Sequence, residues 1–191
     1  MTHCILRISG TFGSGKTTAA RDFLKYPHRE MLGSDGKLKG YKIDAGLRSP
    51  VFLLGSYRNV CGGCDGIPTQ AEIAERILKA HPAGHILYEG ALVSGSGLAG
   101  AVTMATQPTG CSVYAFLDTP LDLCIDRVKG RREAAGNDKP FNPKNTIQKF
   151  DSVVGTYKAL RKAECDVRMI DYTNPHPALL AILQEFDNAA Q

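Results

Sequence analysis

The sequence predicts an α/β fold of three layers, in which helices cover both faces of a mostly parallel sheet of about five strands. Short apolar, β-branched runs alternate with segments that have helical periodicity, and this alternation is typical of parallel sheets with crossover helices. The chain has 191 residues, of which 43% are hydrophobic and 22% charged, as expected for a globular protein with a real core. We therefore expect one domain over residues 1–191.

The first predicted strand, residues 4–9, leads into a glycine-rich loop at residues 10–17. A helical segment follows at residues 17–24, and the loop matches G-x-x-x-x-G-K-[ST] at every fixed position. Its glycines allow a tight turn whose N–H groups point inward as an anion nest, with a helix N-terminus behind them. The alternative is a glycine-rich turn that matches this pattern by accident. The residues expected to contact nucleotide phosphates are Gly10, Gly13, Ser14, Gly15, Lys16, Thr17 and Thr18.

Lys16 and Thr17 are the reactive positions of this loop. The Lys16 ammonium is expected near the β- and γ-phosphates, and the Thr17 hydroxyl is an expected ligand of Mg²⁺. Lys16 is therefore a predicted catalytic residue, and the loop predicts a site for a nucleotide with its magnesium ion.

The remaining elements follow in order along the chain. A turn at Asp35-Gly36 separates two short runs and predicts a hairpin, and Thr69 is placed to cap a helix. Residues 59–68 form a glycine-dense loop, and residues 131–143 a charged loop. The other predicted strands are 29–33, 38–44, 51–55, 85–88, 112–117 and 166–171, and the other predicted helices are 70–80, 98–106, 121–130, 145–163 and 177–190.

Polar residues end several of the predicted strands. Parallel sheets bind ligands at the carboxyl ends of their strands, so these residues and the glycine-rich loop indicate one site at one edge. The strand-end residues are Ser9, Asp44, Glu89, Asp118 and Asp171.

Charge, hydropathy and cysteine content limit the kinds of ligand and the cellular location that we expect for this protein. The net charge of +4 suits a phosphorylated ligand and does not by itself indicate nucleic-acid binding. No apolar run reaches membrane-spanning length, and no export signal is recognisable, so a cytoplasmic protein with reduced thiols is expected. Cys61 and Cys64 form a lone C-x-x-C, for which zinc binding, redox chemistry and a tight substrate-facing turn stay open.

From the glycine-rich loop onward the chain resembles small P-loop kinases of the nucleotide and nucleoside kinase type. Besides residues 10–17, the resemblance rests on Glu89-Gly90 at a strand end and on Asp118-Thr119-Pro120 before a helix with basic residues. It implies ATP and Mg²⁺, an adenine site near residues 172–175, and an arginine lid at about 127–143.

The resemblance also implies roles for individual side chains. Glu89 is the expected carboxylate near Mg²⁺, with helix capping as the alternative. Arg127 and Arg131 are expected to neutralise the transferred phosphoryl group, with Arg131 also contacting ATP, and a solvated basic helix end is the alternative. Asp44 is the first candidate for the base and Asp65 the second, although either is also a typical turn residue.

The acceptor side, residues 29–68, departs from nucleoside monophosphate kinases, which carry a helical insert there. The tract at 57–66 is similar to bacteriophage P-loop kinases, some of which phosphorylate the hydroxymethyl group of 5-hydroxymethyluracil in DNA. That resemblance implies action in the host cytoplasm on DNA with a modified pyrimidine. A kinase of free nucleosides or nucleoside monophosphates and an ATP-hydrolysing switch subunit are the alternatives. Tyr57 (or Phe52) is the expected stacking surface, and the other expected acceptor contacts are Arg48, Arg58 and Asp65.

Overall fold

The computed structural model describes residues 3–59, 62–137 and 139–189. A single sheet of seven strands runs through this part of the chain in the order β2-β3-β4-β5-β1-β6-β7. The strands are β1 Ile5–Ser9, β2 His28–Leu32, β3 Leu38–Ile43, β4 Val51–Leu54, β5 His85–Glu89, β6 Ser112–Leu117 and β7 Asp166–Ile170.

Five neighbouring strands, from β4 to β7 in the sheet order, are parallel. This agrees with the expected parallel core of about five strands. The β2–β3 hairpin, which belongs to the predicted insert, adds two strands because β3 pairs antiparallel with β4. The insert therefore extends the main sheet at one edge, so the sheet has seven strands rather than five.

Helices cover both faces of the sheet, which confirms the predicted three layers. On one face Phe23, Leu179 and Leu183 pack on the apolar side chains of β1, β3 and β4. On the other face Ile73 and Ile77 pack against Ile86 of β5. The α-helices are α1 Lys16–Arg21, α2 Gln70–Ala80, α3 Ala91–Ser94, α4 Ala101–Thr106, α5 Leu121–Ala134, α6 Lys144–Lys162 and α7 Pro175–Asn188.

Helix α5 continues through the segment that was expected to begin a loop. Residues Arg131 to Ala134 are good helix formers, and an ion pair of 4.0 Å joins Lys129 to Glu133 one turn later. The lid arginines therefore lie on a helix. Within the part of the chain described above, none of the helices combines the length and the apolar character that crossing a bilayer requires.

Candidate active site

The glycine-rich loop connects β1 to α1 at the carboxyl edge of the sheet. Gly13 has a φ of 78°, in the left-handed region, and a Cβ at this position would collide with the backbone carbonyl of Cys124. Only glycine satisfies both conditions. The loop therefore takes the predicted turn, with α5 packed directly behind it.

The ammonium group of Lys16 lies inside this turn. Its Nζ donates hydrogen bonds to the carbonyl oxygens of Gly10, at 2.9 Å, and Thr11, at 2.8 Å. Burial lowers the pKa of Lys16, and the nearby Glu89 carboxylate opposes that shift. The loop thus holds the Lys16 ammonium at its centre.

Glu89 ends β5, which neighbours β1 in the sheet, so its carboxylate meets the start of α1. The hydroxyl of Thr17 donates to Glu89 Oε1 at 3.2 Å. The Glu89 side chain is only 1% exposed, and burial raises its pKa to about 7, with Lys16 opposing the shift. A hydroxyl and a carboxylate are oxygen ligands of the kind that Mg²⁺ prefers, usually in company with water and substrate phosphates. The donor set therefore fits this ion.

A second carboxylate, that of Asp65, reaches the same region from the glycine-dense loop. Asp65 lies on a 3₁₀ turn, Cys64–Gly66, and its side chain accepts a hydrogen bond of 2.5 Å from the backbone N–H of Ala91. Its negative charge contributes to the raised pKa of Glu89. The neighbouring Gly63 has a φ of 73° and packs its backbone against the Glu89 carboxylate, where a Cβ would collide.

These groups share one cleft of about 680 Å³ with the two predicted lid arginines. The Arg127 guanidinium donates to the Gly13 carbonyl at 3.3 Å and lies 5.7 Å from the centre of the Tyr172 ring. The residues expected at the adenine site, 172–175, line the same cleft. The predicted site side chains that line the cleft are Lys16, Thr17, Asp65, Glu89, Arg127 and Arg131.

Two further cations lie at this region and were not predicted from the sequence. Arg21 of α1 lines the cleft and donates to the carbonyl oxygen of Tyr57 at 3.1 Å and to that of Asn59. Lys149 of α6 donates to the carbonyl oxygen of Ala91 at 2.5 Å, and the nearby Asp65 opposes the lowering of its pKa by burial. A basic residue on an amphipathic helix carries no local sequence signal for such a role.

Asp44 lies at the opposite edge of the sheet, so the prediction that it is the base is wrong. It follows β3, which is antiparallel to β4, and Ile43 pairs with Val51 at the amino end of the parallel core. Its carboxylate accepts a hydrogen bond of 3.1 Å from the N–H of Gly46, as a turn residue does. Arg48 lies at the same edge and does not contact the glycine-rich loop of residues 10–17.

Tyr57 cannot stack on a substrate base, which corrects another expectation. It is only 4% exposed, packs beside Tyr41 with ring centres 6.2 Å apart, and burial raises the pKa of its hydroxyl well above the usual value. Phe52 is likewise buried. Arg58 is exposed and forms a 2.6 Å ion pair with Glu30 of β2.

The C-x-x-C pair falls partly outside the described residues, because Cys61 is not among them. Cys64 is buried in the core beneath the Asp65 turn, and burial raises the pKa of its thiol. Within the ranges that the structure covers, there is no group of three or more His, Cys, Asp or Glu side chains suited to a metal.

Comparisons with known proteins place the chain in a family. No family model matches it. A 5-hmdU DNA kinase of Pseudomonas phage PaMx11 is 37% identical over 185 residues, 94% of this chain and 97% of the relative. A 5-hmdU DNA kinase of Pseudomonas phage M6 is 28% identical over 136 residues, 66% of this chain and 71% of the relative. A solved gluconokinase from Sinorhizobium meliloti 1021 aligns over 98% of this chain and 95% of its own, with a TM-score of 0.49 and 15% identity. On the strength of the first relative, the chain belongs to the family of the 5-hmdU DNA kinases.

Proposed function

We propose that the protein transfers the γ-phosphoryl group of ATP to the hydroxymethyl oxygen of 5-hydroxymethyluracil in DNA. The observation that carries this proposal is the 37% identity to a 5-hmdU DNA kinase along nearly the whole of both chains. The cleft supports it, because the glycine-rich loop, two carboxylates and several cations lie together at one edge of the sheet. Both curated relatives come from phages, so we place the reaction in the cytoplasm of an infected host cell.

The donor side of the cleft suits the triphosphate of ATP. The N–H groups of the loop and the Lys16 ammonium would hold the β- and γ-phosphates, and Lys16 would exchange its two carbonyl partners for phosphate oxygens. Thr17 and Glu89 would hold Mg²⁺, which supplies neutralising charge at the phosphates when it is bound. The loop beside Tyr172 and Arg127 would cover the adenine.

Asp65 is the group we assign as the base. Its carboxylate lines the cleft next to Glu89, and it is exposed, so an acceptor hydroxyl can reach it. The acceptor oxygen attacks the γ-phosphorus, its proton passes to Asp65, and the bond from phosphorus to the bridging oxygen of ADP breaks. Hydrogen bonding to Ala91 fixes the position of the carboxylate for this transfer.

Arg127 and Arg131 lie one helical turn apart on α5, and both line the cleft. We propose that they neutralise the negative charge of the phosphoryl group during its transfer, and that they belong to a lid within residues 127–143. We also propose that residues 1–191 act as one kinase domain, with residues 29–68 on the acceptor side.

The test is transfer of radiolabelled γ-phosphate to three acceptors. These are a duplex with one 5-hydroxymethyluracil, the same duplex with thymine in its place, and free 5-hydroxymethyldeoxyuridine monophosphate. The proposal predicts label on the first duplex alone, because thymine lacks only the accepting hydroxyl. Label confined to the free nucleotide would replace the proposal with a nucleotide kinase, and ATP hydrolysis without any labelled acceptor would replace it with a switch ATPase.

A further inference from the structure

A second concavity of about 540 Å³ lies at the amino edge of the sheet, between the β2–β3 hairpin and the segment that precedes β4. Its charged lining is predominantly basic. Apart from Asp44, the side chains of this groove that can carry charge are His28, Arg29, Lys42 and Arg48.

Among the described residues, no carboxylate pairs with the cations of this groove. Arg29 and Lys42 are directly opposite each other on neighbouring antiparallel strands, where two like charges destabilise the pairing. Across the described part of the chain, neither residue forms an ion pair, and Arg48 forms none either. The Lys42 ammonium instead lies 5.8 Å from the centre of the Phe52 ring.

Two basic side chains on or beside the hairpin have carboxylate partners. Lys39 pairs with Asp35 at 3.0 Å, and Arg58, from the loop after β4, pairs with Glu30 at 2.6 Å. Arg29, Lys42 and Arg48 have no such partner among the described residues, and Asp44 is the one carboxylate in the lining of the groove. Such a concentration of one sign of charge attracts a polyanion.

The groove lies far from the phosphate loop on the molecular surface. The loop follows the carboxyl end of β1, whereas the groove is at the amino end of β4, which lies two strands from β1 in the sheet. Strand rise and strand spacing put the two sites roughly 20 Å apart. Phosphates advance by about 3.4 Å per nucleotide along one strand of duplex DNA, so DNA that reaches both sites spans at least about six nucleotides.

We propose that this groove binds phosphates of the DNA backbone several nucleotides away from the target base. The inference rests on the proposed DNA acceptor and deepens it, because it assigns a separate anchoring surface to the same substrate. Binding there would place a phosphate between Arg29 and Lys42 and remove their mutual repulsion. The groove would add affinity for long DNA without taking part in the transfer.

The test compares the double variant Arg29→Gln/Lys42→Gln with a control, Lys158→Gln/Lys162→Gln. The control likewise removes two positive charges, in this case two exposed lysines of α6, which packs near the other end of the sheet. Fluorescence anisotropy with a labelled, unmodified 20-base-pair duplex over a series of salt concentrations measures affinity alone. The groove variant should bind at least tenfold more weakly. Its plot of the logarithm of the association constant against the logarithm of the salt concentration should be less steep by about 1.8, as for two lost phosphate contacts.

Phosphoryl transfer to long and short DNA distinguishes a failure of the proposed groove from a failure of the proposed function. With a 20-base-pair duplex carrying 5-hydroxymethyluracil, the groove variant should show a raised KM and an unchanged kcat. With a trinucleotide carrying the same base, which is too short to reach the groove, the variant and the wild type should be equal. In the absence of DNA the groove variant should melt no lower than the wild type, because a repulsive pair has been removed.

An equal loss of affinity in both double variants, or an unchanged salt slope in the groove variant, would overturn the proposed groove while leaving the kinase assignment intact. The proposed function would be contradicted instead if the wild type binds long DNA more tightly than the groove variant but transfers label neither to the duplex with 5-hydroxymethyluracil nor to the duplex with thymine.

Discussion

At the scale of single residues, the site depends on the balance of three charges. Glu89 is buried with a hydroxyl as its hydrogen-bond partner, Lys16 is buried on two carbonyl groups, and Asp65 is exposed above them. Burial raises the pKa of Glu89 to about 7 and lowers that of Lys16. Both shifts favour the neutral form of the buried group, and under the proposed function magnesium at Glu89 and phosphate at Lys16 would favour the charged forms.

Asp65→Asn tests the assigned base. Asparagine keeps an oxygen that can accept from the Ala91 N–H, so the variant removes the proton acceptor while it preserves the local hydrogen bond. We expect kcat for transfer to fall by about 10²- to 10⁴-fold with an unchanged affinity for ATP. Steady-state kinetics and calorimetric titration of ATP measure the two quantities.

Asp44→Asn is the matched control, because Asp44 is a turn carboxylate at the far edge of the sheet. Its kcat should equal that of the wild type. A large fall in kcat for Asp44→Asn, with Asp65→Asn unaffected, would reverse the assignment.

Glu89 should make the nucleotide-free protein less stable as pH rises. A carboxyl whose pKa is about 7 when folded and about 4.5 when unfolded binds more protons in the folded state, so stability falls between pH 4.5 and 7. The integrated effect is on the order of 3 kcal/mol. Glu89→Gln should therefore melt several degrees above the wild type at pH 8, with the difference shrinking toward pH 5.

The comparison between the two proteins isolates Glu89. Burial lowers the pKa of His85, which gives a slope of opposite sign in this pH range, but that slope is common to both proteins. A difference in Tm between Glu89→Gln and the wild type that stays constant from pH 5 to 8 would show that Glu89 has an ordinary pKa.

At the scale of elements, the site is built where the glycine-dense loop folds back against the end of β5. An isolated bridge between Ser56 and Gly63 closes this loop, and Gly63 then covers the Glu89 carboxylate. The sequence indicated the loop and its helix cap at Thr69, which accepts from the Glu72 N–H at 3.2 Å as predicted. It carried no signal for the contact between the loop and Glu89, because that contact joins elements about 25 residues apart.

Gly63→Ala tests this loop geometry. Alanine at Gly63 is strained by the positive φ of 73° and collides with Glu89, so we expect a loss of about 1–3 kcal/mol in the free energy of unfolding together with reduced transfer. Chemical denaturation and steady-state kinetics measure the two effects. Gly66→Ala is the control in the same loop, since a Cβ there meets nothing within 4 Å. Equal behaviour of the two variants would contradict the described packing.

At the scale of the whole molecule, local patterns predicted the parallel core and its helices well, because apolar periodicity and glycine-rich turns are short-range signals. They did not predict where the hairpin attaches. Its antiparallel pairing with β4 carries Asp44 and Arg48 to the far edge, and only tertiary structure determines that direction. The burial of Tyr57 was missed for the same reason, since an aromatic residue in a polar tract also suits an exposed stacking surface.

The central claim is that the phosphate loop delivers a phosphoryl group to a hydroxymethyl base in DNA. The most direct measurement is mass spectrometry of the nucleosides released from duplex DNA with 5-hydroxymethyluracil, after incubation with ATP, Mg²⁺ and either the wild type or Lys16→Ala. We expect the modified nucleoside to gain one phosphoryl group with the wild type and none with Lys16→Ala, which loses the buried ammonium of the loop. An unmodified nucleoside with the wild type, or equal modification by both proteins, would contradict it.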